Sequence, residues 1–149
     1  MNKSSNKVYD PFDGYSIALK KIEESGIIPT KQRRILAQLL FQKGNRHISA
    51  EDLFDEVKKE DRKISMATIY NTLKQFTNLG LIREIVVDKN KSLYDTNNKP
   101  HYHLYIEDEG KVHDIPTNNI NLDLPSIPAC LNLHNIDAVS YTHLTLPTK

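Results

Sequence analysis

The segment His101-Tyr102-His103 carries two imidazoles at the spacing that an extended chain turns toward one side, with Asp95 before them and His113 and Asp114 after. Nitrogen and carboxylate ligands without thiolates suit iron, manganese or zinc, and a pair of imidazoles also suits the axial positions of a haem iron. His47 lies far upstream. An ion tied to both His47 and the later pair would fix how two parts of the chain are held, which is the geometry of a switch. The plain alternative is a strand whose histidines simply face water.

A second constellation suits a surface partner rather than an ion. Tyr70 and Asn71 fall between apolar residues at helical spacing, Met66, Ile69, Leu73 and Phe76, so a helix that buries those four turns Ala67, Tyr70, Asn71, Lys74 and Asn78 outward. An aromatic ring and two amides on an exposed helix face suit base edges in a major groove, where an amide pairs bidentately with adenine. Gln32, Arg33, Arg34, Ser65, Thr68 and Lys74 complete the candidate DNA-contacting set, the cations and hydroxyls serving phosphates. A packed all-helical domain, with Tyr70 merely covering a neighbour, is the competing reading.

Positioning these groups requires capped elements, and the sequence supplies the caps. Ser49 predicts a helix over 50–58 with Asp52 as its capping-box partner, and Ser65 predicts one over 66–79 closed by Gly80. Upstream, Tyr15, Ala18, Leu19 and Ile22 form a helical stripe ended by Gly26, and Thr30 opens a helix that turns Ile35, Leu36, Leu39 and Leu40 inward. Residues 81–87 and 92–96 read as strands joined by a turn at 88–91, a hairpin placed as a wing after the second capped helix. Lys89 and Lys91 at its tip are read as solvated.

A polar stretch at 97–100 predicts a hinge into a second domain with strands at 102–107, 111–115 and 135–139, and the proline- and asparagine-rich stretch between the last two limits any helix there. The expected class is α+β, with a winged helix-turn-helix domain over 1–96 (1–9 loose), a small α/β dimerisation and effector-binding domain over 97–139, and a tail at 140–149 that reads as non-native or disordered. So small a second domain favours a homodimer, which would also present two half-sites to an operator.

Composition narrows the class. Residues 1–86 hold 15 Lys and Arg against 11 Asp and Glu, whereas residues 87–149 hold 5 against 8, so the polyanion contact belongs to the first part. The basic groups concentrate at 31–34 and 58–63. No apolar run reaches membrane-spanning length, so no membrane partner is expected. A single cysteine, Cys130, excludes an internal disulfide framework and a structural zinc site built from four thiolates, and with no signal peptide before Pro11 the expected compartment is the cytoplasm.

The runs His47-Ile48-Ser49-Ala50-Glu51-Asp52-Leu53-Phe54, Ile64-Ser65-Met66-Ala67-Thr68-Ile69-Tyr70-Asn71-Thr72-Leu73-Lys74-Gln75-Phe76 and Leu79-Gly80-Leu81-Ile82 closely resemble the ferric uptake regulator family of metal-responsive repressors. The resemblance covers roughly residues 17–139. It implies a dimeric transcriptional regulator, no enzyme, in which Tyr70 and Asn71 read bases and His47, Asp95, His101, His103 and Asp114 form a regulatory metal site between domains. Common members carry Arg where this chain has Asn71, and a cysteine pair where it has Ile106 and Glu109. The Tyr70-Asn71-Thr72-Leu73 run and the Pro29-Thr30-Lys31-Gln32-Arg33 start resemble the iron response regulator branch, which senses haem status and shows three consecutive histidines where Pro100-His101-Tyr102-His103 stands here. Two rivals are a small zinc enzyme, with Glu107 or Glu109 as base, and a metal or haem buffer that binds no DNA. No His-Glu-x-x-His spacing supports the first.

Overall fold

The computed structural model describes residues 14–132, 136 and 138–142, and the chain divides after Asn98 into two units, two residues beyond the expected boundary.

In the first unit, helix α1 (Gly14–Glu24) buries Ala18 and Ile22, and Gly26 at φ +77° turns the chain away. The turn needs a residue that tolerates the left-handed region. Helix α2 (Lys31–Phe41) starts where the Thr30 hydroxyl accepts from Arg33 N, and buries Leu36, Ala37, Leu39 and Leu40. Strand β1 (His47–Ile48), too short to announce itself by alternation, leads into helix α3 (Ala50–Lys59). Ser49 Oγ accepts from Asp52 N at 3.1 Å and donates to Asp52 Oδ2 at 2.7 Å, so Asp52 completes the cap through the hydroxyl.

Helix α4 (Met66–Asn78) follows, with Ser65 accepting from Thr68 N at 3.1 Å. Its end is a Schellman turn: Gly80, at φ +69°, donates to Thr77 O, and Leu81 N reaches back to Phe76 O. Strands β2 (Arg83–Asp88) and β3 (Lys91–Asp95) form the wing hairpin, and β3 pairs on its other side with β1, giving the antiparallel order β1-β3-β2. Ile22, Leu36, Leu40, Leu53, Ile69, Leu73 and Phe76 are at most 1% exposed and bind the helices into one core. Each such side chain contributes about 1.5–3 kcal/mol by leaving water.

The second unit is a three-stranded sheet ordered β5-β4-β6, in which β4 (His101–Ile106) pairs antiparallel with β5 (Lys111–Pro116) and parallel with β6 (Val139–Thr142). Between β5 and β6 the only described regular element is a 3-10 turn at Thr117–Asn119. Two expectations need correction. The third strand begins at Val139 rather than ending there, and Ser140, Tyr141 and Thr142 of the expected loose tail pair with Leu104, Tyr105 and Ile106. Backbone pairing needs no particular side chain, so a break in apolar alternation does not end a strand. Asn135 and Asp137, the rest of the tail at 143–149 and the start at 1–9 lie outside the described residues.

Candidate nucleic-acid face and metal centre

Helix α4 turns Ala67, Tyr70, Asn71, Lys74 and Asn78 to solvent and buries Ile69, Thr72, Leu73 and Phe76. This is the division that its 3.6-residue period requires. Tyr70 is 44% exposed, so its ring stays open to solvent on this face of α4. Asn71, Lys74 and Asn78 share a groove of about 470 Å³ with Thr30, Gln32 and Arg33 from the start of α2. Gln32 and Lys74 stand exposed there.

The arginines are more constrained than their sequence suggests. Arg33 donates from Nε to Gln75 Oε1 at 2.9 Å and from Nη1 to Ile28 O at 2.7 Å, so it braces α2 against α4. Arg34 donates from Nε to Pro29 O. Ser65 and Thr68 join hydroxyls at 2.9 Å within the α4 cap. Gln75 was invisible to sequence reasoning because its role depends on a partner 42 residues away.

On the other side of Tyr70 lies a concavity of about 800 Å³ with a different character. It is bordered by Glu51, Asp52, Glu84 and Asp88, with Lys89 and Lys91 on the wing. The Tyr70 hydroxyl donates to Glu51 Oε1 at 2.7 Å, and that hydrogen bond holds the phenol pKa above its ordinary value. Tyr94 in the same wall is pushed up to about 12 by burial, with Glu84 adding repulsion. Glu51 was missed as a candidate because a carboxylate in a first helical turn is already explained by the helix dipole.

The metal-ligating candidates fall in both units. In the first, β1 pairs with β3 so that His47 stands opposite Asp95, and His47 Nε2 lies 3.6 Å from Asp95 Oδ2. Asp95 is fully buried, and its other oxygen accepts from Asn97 N at 2.8 Å. Two atoms bound to one ion at about 2.0–2.2 Å each stand roughly 3–3.5 Å apart, so this pair is close to a ligating separation.

In the second unit, alternation along β4 buries His101, His103 and Tyr105, and the β4–β5 register sets His103 opposite Asp114. The imidazoles meet Nε2 to Nε2 at 2.9 Å, with Asp114 Oδ1 at 3.3 Å from His101 and 3.9 Å from His103. His101 Nδ1 bonds to Lys99 O, which puts the proton on Nδ1 and turns the Nε2 lone pair toward the cluster. Two buried imidazole nitrogens beside one carboxylate fit a divalent cation.

They do not fit the expected haem as joint axial ligands. Their Nε2 atoms meet at 2.9 Å, which leaves no room for a porphyrin ring between the two imidazoles. His113 stands opposite Leu104 and is exposed, apart from the cluster. Glu107 and Glu109 lie beyond the far end of β4, about 13 Å or more along the chain from His103, too distant to act as a base on an ion held there.

Three comparisons bear on this geometry. The sequence profile of the ferric uptake regulator family matches residues 24–138. The peroxide-responsive repressor PerR of Staphylococcus aureus is 29% identical over 104 residues, 70% of each chain. Among solved structures, the Vibrio cholerae ferric uptake regulator superposes with a TM-score of 0.66 at 22% identity, covering 84% of this chain and 98% of that one. A zinc-bound manganese uptake regulator superposes at 0.58 with 26% identity, covering 84% and 98%.

Proposed function

The chain belongs to the ferric uptake regulator family, and from that premise we propose that it is a metal-responsive, sequence-specific DNA-binding repressor of iron homeostasis that acts as a homodimer in the cytoplasm. Family members are transcriptional regulators, which removes the zinc-enzyme reading. The observation that carries the proposal is the capped α4 with Tyr70, Asn71 and Lys74 on its solvent face. Tyr70 and Asn71 contact base edges, while Gln32, Arg34 and Lys74 meet phosphates, together with Ser65 and Thr68 at the helix start. Arg33 contributes by holding α2 against α4, in addition to its charge. Retention of this face argues against a buffer that binds no DNA.

The effector site draws on five residues. His47 and Asp95 supply an imidazole and a carboxylate in the first unit, and His101, His103 and Asp114 supply two imidazoles and a carboxylate in the second. When bound, a divalent ion supplies bonds to imidazole and carboxylate that no side chain replaces. Iron, manganese and zinc all suit this donor set. Relatives and structural neighbours are named for peroxide response, ferric uptake and manganese uptake, and the iron response regulator reading rests on the Tyr70-Asn71-Thr72-Leu73 run.

The test is a selection of duplexes from a random library by the full chain, with manganese, zinc, ferrous iron and haem added separately. A preferred sequence whose binding changes with a divalent ion is the expected result. Uniform retention of all duplexes under every condition would contradict it.

A further inference from the structure

Glu51 stands in the first turn of α3, where a carboxylate is favourable near the helix N-terminus, yet it is also the acceptor for the hydroxyl of Tyr70. A phenol has one proton to donate. With that proton committed to Glu51 at 2.7 Å, the Tyr70 oxygen can only accept from anything else it meets. Phosphate oxygens are acceptors and offer it nothing, whereas the major groove presents donors at the amino groups of adenine and cytosine. Exclusion of water by a docked duplex would strengthen the hydroxyl-to-carboxylate bond, because the local dielectric falls.

We propose that Glu51 is a positioning residue that sets the DNA specificity of Tyr70, by taking its hydroxyl proton and so turning it from phosphates toward base amino groups. The surrounding charges agree with such a role. Glu51, Asp52, Glu84 and Asp88 outnumber Lys89 and Lys91 around the same concavity, so this side of α4 is less favourable to phosphates than the groove on the other, where Lys74 and Arg33 are the charged residues. The raised phenol pKa is a second sign of the pairing.

This inference rests on the DNA-reading role proposed above, and the experiment separates the two. Binding of the full chain to its selected duplex and to a scrambled duplex is measured for the wild type, Glu51→Ala, Glu51→Gln, Tyr70→Phe and the Glu51→Ala/Tyr70→Phe pair. Glu51→Ala frees the hydroxyl to donate to phosphate, so the ratio of specific to non-specific affinity falls about three- to tenfold, mainly through tighter non-specific binding. Glu51→Gln keeps an acceptor oxygen and retains most of the ratio. In the Tyr70→Phe background, Glu51→Ala leaves the ratio unchanged. NMR titration of the Tyr70 ring in the DNA-free protein shows a lower pKa in Glu51→Ala than in the wild type. An equal change in ratio with and without the Tyr70 hydroxyl, or an unmoved Tyr70 titration, would overturn the inference while leaving the DNA-reading role intact. A wild type without sequence preference would remove both.

Discussion

At the scale of single residues, two side chains separate reading from sensing. Asn71→Ala removes an amide capable of bidentate pairing, so discrimination at one base position should fall by roughly 1–3 kcal/mol while affinity for unrelated DNA stays put. Competition binding against single-base operator variants checks this, and equal weakening on every sequence would deny Asn71 its role. Changing His101 and His103 together to Ala should abolish the response to divalent metal and leave the far-ultraviolet circular dichroism of the protein largely unchanged, since neither residue belongs to the core of the first unit. The histidine pair was legible from its spacing, because alternate residues of a strand share a face. The contact between His47 and Asp95 was not, because it depends on a two-residue strand that pairs across nearly fifty residues of sequence. The unsuitability of the imidazole pair for haem was equally hidden, as it follows from how closely the two Nε2 atoms meet.

Elements carry the stability that these residues depend on. Ser65→Ala deletes the hydroxyl that accepts from Thr68 N at the start of α4. The expected loss is about 1 kcal/mol of unfolding free energy, read from urea denaturation, and an unchanged midpoint would mean that solvent replaces the cap without cost. Helix α3 is held differently. Glu56 forms a forked pair with Arg46, whose guanidinium also donates to Leu39 O at the end of α2, and the Arg46 hydrogen bond is the main cause of a Glu56 pKa below the usual value of 4.5. A carboxyl with a depressed folded pKa stabilises fully above its unfolded value, and the contribution is lost as pH falls through the folded value. Wild-type stability should therefore decline below about pH 4.5 more steeply than that of Glu56→Gln, which should itself be roughly 1–3 kcal/mol less stable near neutrality. Parallel declines in acid would show that Glu56 is not responsible. Caps and helices were readable here because Ser and Thr signals are local, whereas Arg46 with Glu56 and Arg33 with Gln75 are choices made by packing.

For the molecule as a whole, charge is unevenly shared, with the basic excess in residues 1–86 and the acidic excess in residues 87–149. DNA affinity should accordingly fall as salt rises, and Lys74→Ala should lower the slope of log affinity against log salt by about 1 without altering sequence preference. A homodimer would double the contacts and set two half-sites about one helical turn apart, a spacing that footprinting reads directly. The central claim is that α4 reads sequence under control of an ion held by histidines and carboxylates. It is tested most directly by fluorescence anisotropy on the selected operator, titrating manganese into the wild type and into the His101→Ala/His103→Ala variant. A metal-dependent change in operator affinity that vanishes in the variant is the predicted result. The same manganese response in both proteins, or none in the wild type with any of the divalent ions, would contradict it.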